Sequence, residues 1–185
     1  MDWMHELFSY VCGQVNVWAV GGETLPFCQR CTGLYVGGFY ALILMAVFRP
    51  APSLRLLCIH VLLLLQMVPF GYHFVPQGAI LRTLTGQLFA IGLVYCLCLN
   101  PLARLNVGRR SVPGRLQPYA VAALAGMPAL LAAIQFGGPV IARLLALMGL
   151  AGLAACLVLA AVNAVMLPML AWQLVRPKAT NTGTI

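Results

Sequence analysis

Five long apolar runs, separated by short polar or proline-rich stretches, constrain this chain of 185 residues more than any other feature. A run of about 20 apolar residues is long enough for a helix to cross a bilayer. Only 8% of the residues are charged and 62% are hydrophobic, whereas about a quarter of a soluble domain is charged. The sequence therefore predicts an all-α, polytopic transmembrane helix bundle of about five spans, in contact with the lipid bilayer.

The predicted spans cover residues 32–48, 54–72, 81–99, 118–136 and 140–175. The last run would be about 52 Å long as one helix, which exceeds the roughly 30 Å core of a bilayer. We expect one long span that tilts, protrudes or kinks near Pro168, and two short re-entrant pieces are the alternative. The chain is then divided into a cysteine-bearing segment 1–31, a bundle 32–175 and a polar tail 176–185.

The basic residues predict the orientation of these spans. Five spans place three of them on one side and eight on the other. The three are Arg30, Arg82 and Arg143, and the eight are Arg49, Arg55, Arg104, Arg109, Arg110, Arg115, Arg176 and Lys178. Because positive residues accumulate on the cytoplasmic side, we expect a cell (inner) membrane protein with its N-terminus outside and its C-terminus inside. Loop arginines beside anionic lipid explain the net charge of +8, and no nucleic-acid partner is expected.

The segment before the first span carries the clearest candidate for chemistry. It contains His5, Cys12 and the pair Cys28-Gln-Arg-Cys31, together with all three acidic residues of the chain. Apolar residues at helical spacing over 1–17 predict a short amphipathic helix at the membrane interface, with Cys12 near its end. His73 belongs to the same side of the membrane under the predicted topology.

A Cys-x-x-Cys pair suits both metal chelation and a disulfide. Three thiolates from Cys12, Cys28 and Cys31, with a histidine such as His5 or His73 or a carboxylate, would complete a tetrahedral zinc site. Zinc is preferred because imidazole and carboxylate groups lie nearby, although a three-cysteine set also suits Cu(I). The alternatives are a redox dithiol of Cys28 and Cys31, on the oxidising side of the membrane, and reduced structural cysteines.

The run Cys12-Gly13-Gln14 … Leu25-Pro-Phe-Cys28-Gln-Arg-Cys31-Thr-Gly-Leu-Tyr-Val-Gly37 resembles the N-terminal signature of a family of uncharacterised bacterial and archaeal integral membrane proteins. That signature has a Cys-His dipeptide, followed by Leu-Pro-x-Cys-x-Arg-Cys-Thr-Gly-x-Tyr-x-Gly at the start of the first span. Arg82-Thr-Leu-Thr-Gly86 is similar to the family's Arg-x-x-Thr-Gly motif. The resemblance implies a membrane fold and a cysteine site but no activity. Gly13 replaces the family's usual histidine, so any role of that histidine is lost or passes to His5 or His73.

Small residues within the spans predict close helix packing. Gly33 and Gly37 form a small-xxx-small face on the first span, and the third span carries Arg82 and Gly86 in its own motif. The polar residues within the spans are interpreted as interhelical hydrogen-bonding groups, and the remaining cysteines as packing residues. These residues are His60, Gln66, Gln87 and Asn163, with Cys58, Cys96, Cys98 and Cys156.

Three functional hypotheses follow. The lack of a catalytic motif favours a non-catalytic membrane protein with an extracytoplasmic metal site, zinc first, that acts as an accessory subunit beside other membrane protein subunits. The second hypothesis is thiol–disulfide exchange or electron transfer by Cys28 and Cys31. The third is a soft-metal transporter whose outer cysteines receive the ion.

Overall fold

The computed structural model of the protein describes residues 2–71, 74–105 and 116–175. The predicted tail at 176–185, residues 106–115 between the third and fourth predicted spans, and His73 lie outside these ranges. The described elements are α1 (Asp2–Ser9), β1 (Val17–Val20), β2 (Glu23–Cys28), α2 (Gln29–Phe48), α3 (Leu54–Leu65), α4 (Met67–Gly71), α5 (Ala79–Leu105), α6 (Leu116–Phe136) and α7 (Pro139–Val175).

The predicted bundle of five apolar helices is confirmed. Five helical segments of the described chain are long and apolar enough to cross a membrane, namely Gln29–Phe48, Leu54–Gly71, Ala79–Leu99, Leu116–Phe136 and Pro139–Met166. The second comprises α3 and α4, which are separated by Gln66. The last apolar run forms one helix of 37 residues with Pro168 inside it, rather than two re-entrant pieces.

Helix α2 is the centre of the bundle and lies parallel to both α5 and α7. A Cβ atom on Gly33 would overlap the carbonyl oxygen of Thr83, and one on Gly86 would overlap that of Arg30. A Cβ atom on Gly152 of α7 would likewise overlap the carbonyl oxygen of Tyr35. These glycines allow backbones to approach closely, which is how helices gain van der Waals contact where water exclusion contributes little.

The N-terminal segment differs from its prediction. The expected helix over 1–17 ends at Ser9, and the chain then forms an antiparallel hairpin of β1 and β2. Gly21 and Gly22 form the two-residue turn with φ of 57° and 84°, a left-handed backbone that glycine adopts without steric cost. The pairing is irregular where β2 contains Pro26, which has no N–H to donate.

The hairpin and α1 are packed onto one end of the bundle by an aromatic cluster. Phe8 of α1, Phe27 of β2 and Tyr35 of α2 have ring centroids 4.9 to 5.8 Å apart. Phe8 and Phe27 are fully buried. Phe8 and Phe27 therefore anchor α1 and the hairpin to the core of the bundle.

Candidate metal centre

Three cysteines converge where α1, the hairpin and α2 meet. The sulfurs of Cys12, Cys28 and Cys31 all lie within 4.8 Å of one another, and the three cysteines are not disulfide-bonded. Cys12 is buried, whereas Cys28 and Cys31 are partly exposed. The structure thus brings together the three cysteines that the sequence singled out, from the loop after α1 and from the start of α2.

Local hydrogen bonds place Cys12 beside the pair. Its N–H donates to the carbonyl oxygen of Phe8 at 2.8 Å, which continues the turn that ends α1. Gln14 then adopts a left-handed backbone, with φ of 50°, and its side-chain amide donates to the carbonyl oxygen of Pro26 at 3.0 Å. The loop that carries Cys12 is therefore tied to the strand that leads into Cys28.

The start of α2 places the other two sulfurs. We expected the first span to begin at residue 32, so that Cys31 preceded the helix, but α2 begins at Gln29. Cys28 is instead the N-cap residue, and Cys31 is the third residue of the helix. A spacing of three puts the two side chains on neighbouring positions of the helix end, where the N-terminal dipole favours negative charge.

The surroundings of Cys12 favour a thiolate. Hydrogen bonds from the side chains of Cys28 and Cys31 lower the pKa of Cys12 well below its ordinary value, against the opposing effect of burial. The backbone N–H of Cys28 also donates to the Cys12 sulfur at 3.3 Å. Metals bind the thiolate form of cysteine, so this environment suits a soft or borderline ion.

The predicted histidine ligands are not in this cluster. His5 lies on α1, outside the group of sulfurs, and lines a separate cavity. His73 falls outside the described residues. Among the residues that the structure does describe, no histidine or carboxylate joins the three sulfurs as a fourth ligand.

The predicted packing residues lie on α2 and α5, where the two helices are in contact next to the paired cysteines. Gly33 and Gly37 of α2 face Thr83 and Gln87 of α5, and Gly86 faces the backbone of Arg30. Arg82 begins the second motif one turn before Gly86, and its Nε atom is buried. The two family-like motifs, at 28–37 and 82–86, therefore contact each other.

Several residues that hold the site in place were missed by sequence reasoning. The Trp18 indole N–H of β1 donates to the Thr83 hydroxyl at 2.9 Å, and that hydroxyl is 3.0 Å from the carbonyl oxygen of Gln29. Arg30, between the paired cysteines, donates to the carbonyl oxygen of Phe70 at 2.8 Å and to Gln77 Oε1 at 2.9 Å. In the sequence, the signals for these contacts were the position of Arg30 inside the Cys-x-x-Cys pair and that of Thr83 inside the motif at 82–86.

Comparison with known proteins supports the membrane class of the chain. Residues 16–96 match the model of a family described as a predicted membrane protein (DUF2085). The match contains Cys28, Cys31 and both glycine motifs but begins after Cys12. The expected resemblance to an uncharacterised membrane protein family is confirmed. No curated protein and no solved structure matches the chain.

Proposed function

We propose that this membrane protein is non-catalytic and that Cys12, Cys28 and Cys31 bind one zinc ion, which clasps the N-terminal segment to the bundle. The observation that carries the proposal is that the sulfur of Cys12, from the loop after α1, lies within 4.8 Å of those of Cys28 and Cys31 at the start of α2. Zinc–sulfur bonds of about 2.3 Å need sulfurs roughly 3.8 Å apart, so only a small closure is required. The fourth position is left to an external ligand or to a residue outside the described ranges.

The test is metal analysis of the purified full chain by mass spectrometry. We expect about one zinc per chain, and its loss when Cys12, Cys28 or Cys31 is changed singly to serine. Cys58→Ser is the matched control, because Cys58 is exposed on α3 and away from the cluster. Metal-free wild-type protein, or equal loss in Cys58→Ser, would contradict the zinc site. If copper is found instead of zinc, the three cysteines still form a metal site, but its ion is copper.

The redox alternative is favoured by the partial exposure of Cys28 and Cys31. The same preparation separates it from the zinc site by counting thiols after denaturation in a chelator. All seven cysteines should react if the cluster holds metal, and five should react if two of them form a disulfide. A transporter has less support, since the described residues contain one cluster of three metal-binding side chains and no second one.

We further propose that the cysteine site faces the extracytoplasmic side of the inner membrane. Arg30, Arg82 and Arg143 lie near the start of α2, α5 and α7, at the hairpin end, while Arg49 and Arg55 flank the loop at the other end. Membrane-impermeant maleimide, applied to intact cells after mild reduction and chelation, should label Cys28 or Cys31. Labelling only after the membrane is broken would show that the cysteine site faces the cytoplasm, which contradicts the proposed topology.

The proposed role as an accessory subunit is supported by open helix surfaces. Only 11% of the apolar window Leu54–Gly71 and 22% of that in α7 are buried within the chain. Gentle extraction should yield a complex in which this chain is stoichiometric with another membrane protein. Recovery of a lone monomer that turns over a substrate would contradict both the accessory role and the non-catalytic one.

A further inference from the structure

A cavity of about 610 Å³ lies between α1, the turn of the hairpin and the start of α7. The side chains that define its chemistry are Asp2, Trp3, His5, Glu23 and Arg143. It is separate from the sulfur cluster, whose three cysteines do not line it. Two carboxylates, an imidazole and a guanidinium around one cavity indicate a ligand with both positive and negative groups.

The charges in the cavity are not balanced. Glu23 is paired with Arg143, whose Nη2 lies 2.8 Å from the carboxylate, but Asp2 has no ion-pair partner among the described residues. Among the described residues that line the cavity, two carboxylates against one guanidinium leave one negative charge, in a chain whose net charge is +8. A primary ammonium would balance Asp2, and the adjacent indole of Trp3 suits a cation over its face.

Arg143 retains donors for an anion. Its Nε and Nη2 atoms donate to Glu23, and the second terminal nitrogen of the guanidinium has no acceptor among the described residues. The Arg143 side chain is 68% exposed, so an incoming phosphate can reach it. Arginine is well suited to phosphate because several N–H donors lie in one plane.

The cavity opens beside an apolar helix surface. Arg143 lies about 6 Å along α7 from its first residue, at a rise of 1.5 Å per residue. Leu147, which lines the cavity, and its neighbour Leu144 are half exposed on the same helix, and Trp3 is 57% exposed. Tryptophan and arginine near the end of a span are typical of the level of lipid headgroups.

We propose that this cavity binds the headgroup of a lipid that carries a primary ammonium and a phosphate, as phosphatidylethanolamine does. The ammonium pairs with Asp2 and stacks on Trp3, while the phosphate accepts from Arg143. A quaternary ammonium has no N–H for the carboxylate, and a glycerol headgroup has no cation for it. The site therefore prefers the ethanolamine lipid over its choline and glycerol counterparts.

Native mass spectrometry of the full chain, with added lipids of identical acyl chains, tests this preference. We expect the ethanolamine lipid to be retained about tenfold better than the choline or glycerol lipid, the value of one charge-assisted hydrogen bond. Asp2→Asn should abolish the difference between ethanolamine and choline lipids. Arg143→Gln should weaken retention of both, because both carry a phosphate, and Arg143→Lys should restore part of it.

The matched controls are Glu6→Gln, an acidic residue of α1 that does not line the cavity, and Arg49→Gln at the opposite end of α2. Both should bind lipid as wild type does. Equal retention of the three lipids, an unchanged preference in Asp2→Asn, or an equal loss in the controls would overturn the proposal. So would equally tight binding of soluble phosphoethanolamine, since the ligand would then not be a lipid.

Discussion

The hairpin end of the bundle and its opposite end both contain cysteines and a histidine, but they use them differently. At the hairpin end, three sulfurs meet within 4.8 Å. At the opposite end, Cys98 is packed in an apolar cluster with Cys96 and Cys156 at its edge, and these cysteines form no metal-binding group among the described residues. The same residue types give a candidate metal site in one place and a packed core in the other.

Backbone geometry explains the contrast. Cys28 and Cys31 are three residues apart at a helix end, which places their side chains close together. Cys96 and Cys98 are two apart within α5, and a helix rotates by about 200° over two residues, so their side chains diverge. Cys12 lies in the irregular chain between α1 and β1, and this stretch places its sulfur beside those of Cys28 and Cys31.

The two histidines differ in the same way. His60 at the opposite end is buried and uses both ring nitrogens, with Nδ1 2.7 Å from the carbonyl oxygen of Leu56 and Nε2 2.8 Å from the Tyr119 hydroxyl. Because a carbonyl only accepts, Nδ1 carries the proton and Nε2 accepts from Tyr119. The ring is also stacked on Tyr95, with centroids 3.9 Å apart. His60 therefore has no nitrogen lone pair left for a metal, whereas His5 lines an open cavity.

If the proposed zinc site is occupied, the largest expected effect is a loss of structure confined to the hairpin end when the metal is removed. Metal-binding free energy becomes folding free energy where ligands come from separate segments. Chelation should therefore expose backbone amides around Cys12 and β2 to hydrogen exchange and leave those near His60 and Tyr119 protected. In the Cys28→Ser variant these amides should already exchange rapidly, and chelation should not increase their exchange further. Equal loss of protection at both ends would show that the metal does not act locally.

A smaller effect is expected at the contact between the two glycine motifs. Gly33→Ala should cost about 1–3 kcal/mol of unfolding free energy, because the new methyl group overlaps the Thr83 backbone. Gly38→Ala on the same helix meets only the Cys156 sulfur at 3.4 Å, so it should be neutral or stabilise by up to about 1 kcal/mol. Reversible unfolding in mixed micelles measures both. Equal effects would mean that α2 and α5 are not in close contact.

At the opposite end, Tyr119→Phe should cost about 1 kcal/mol, since it leaves the buried Nε2 of His60 without its donor. Tyr10→Phe is the control, because Tyr10 is 83% exposed. The same unfolding assay applies to both variants. A Tyr119→Phe protein as stable as the Tyr10→Phe protein would show that the His60 network does not hold α3 to α6.

The smallest effect is expected from the ion pair of the hairpin end. Glu23→Gln should leave the unfolding free energy close to that of the wild type, because the pair is solvent-exposed on the arginine side. Raising the salt concentration should have no more effect on the wild type than on this variant. A loss of stability as large as that of Tyr119→Phe would mean that the pair is shielded from solvent, and that the cavity beside it is closed.

The bundle could be predicted from the sequence because span length and low charge are properties of the local chain. The helix predicted over 1–17 ends at Ser9, and the strand pairing over 17–28 was not predicted, although Gly21-Gly22 between Val20 and Glu23 is a typical turn signal. The apolar positions of 1–17 fit a helical period, but 17 residues are too few for this fit to show where the helix ends. The strand pairing depends on contacts with α1 and α5, which no short window contains.

The sequence by itself determined the membrane class of this protein, the apolar helices and the three cysteines of the candidate site. These follow from composition and from spacings of a few residues, where chain geometry alone places the groups. The tertiary structure decided that Cys12 joins the pair while His5 does not, and that Trp18 contacts Thr83 and His60 contacts Tyr119. Each of those outcomes joins residues that lie well beyond one helical turn in the chain, so each depends on which helix faces pack together.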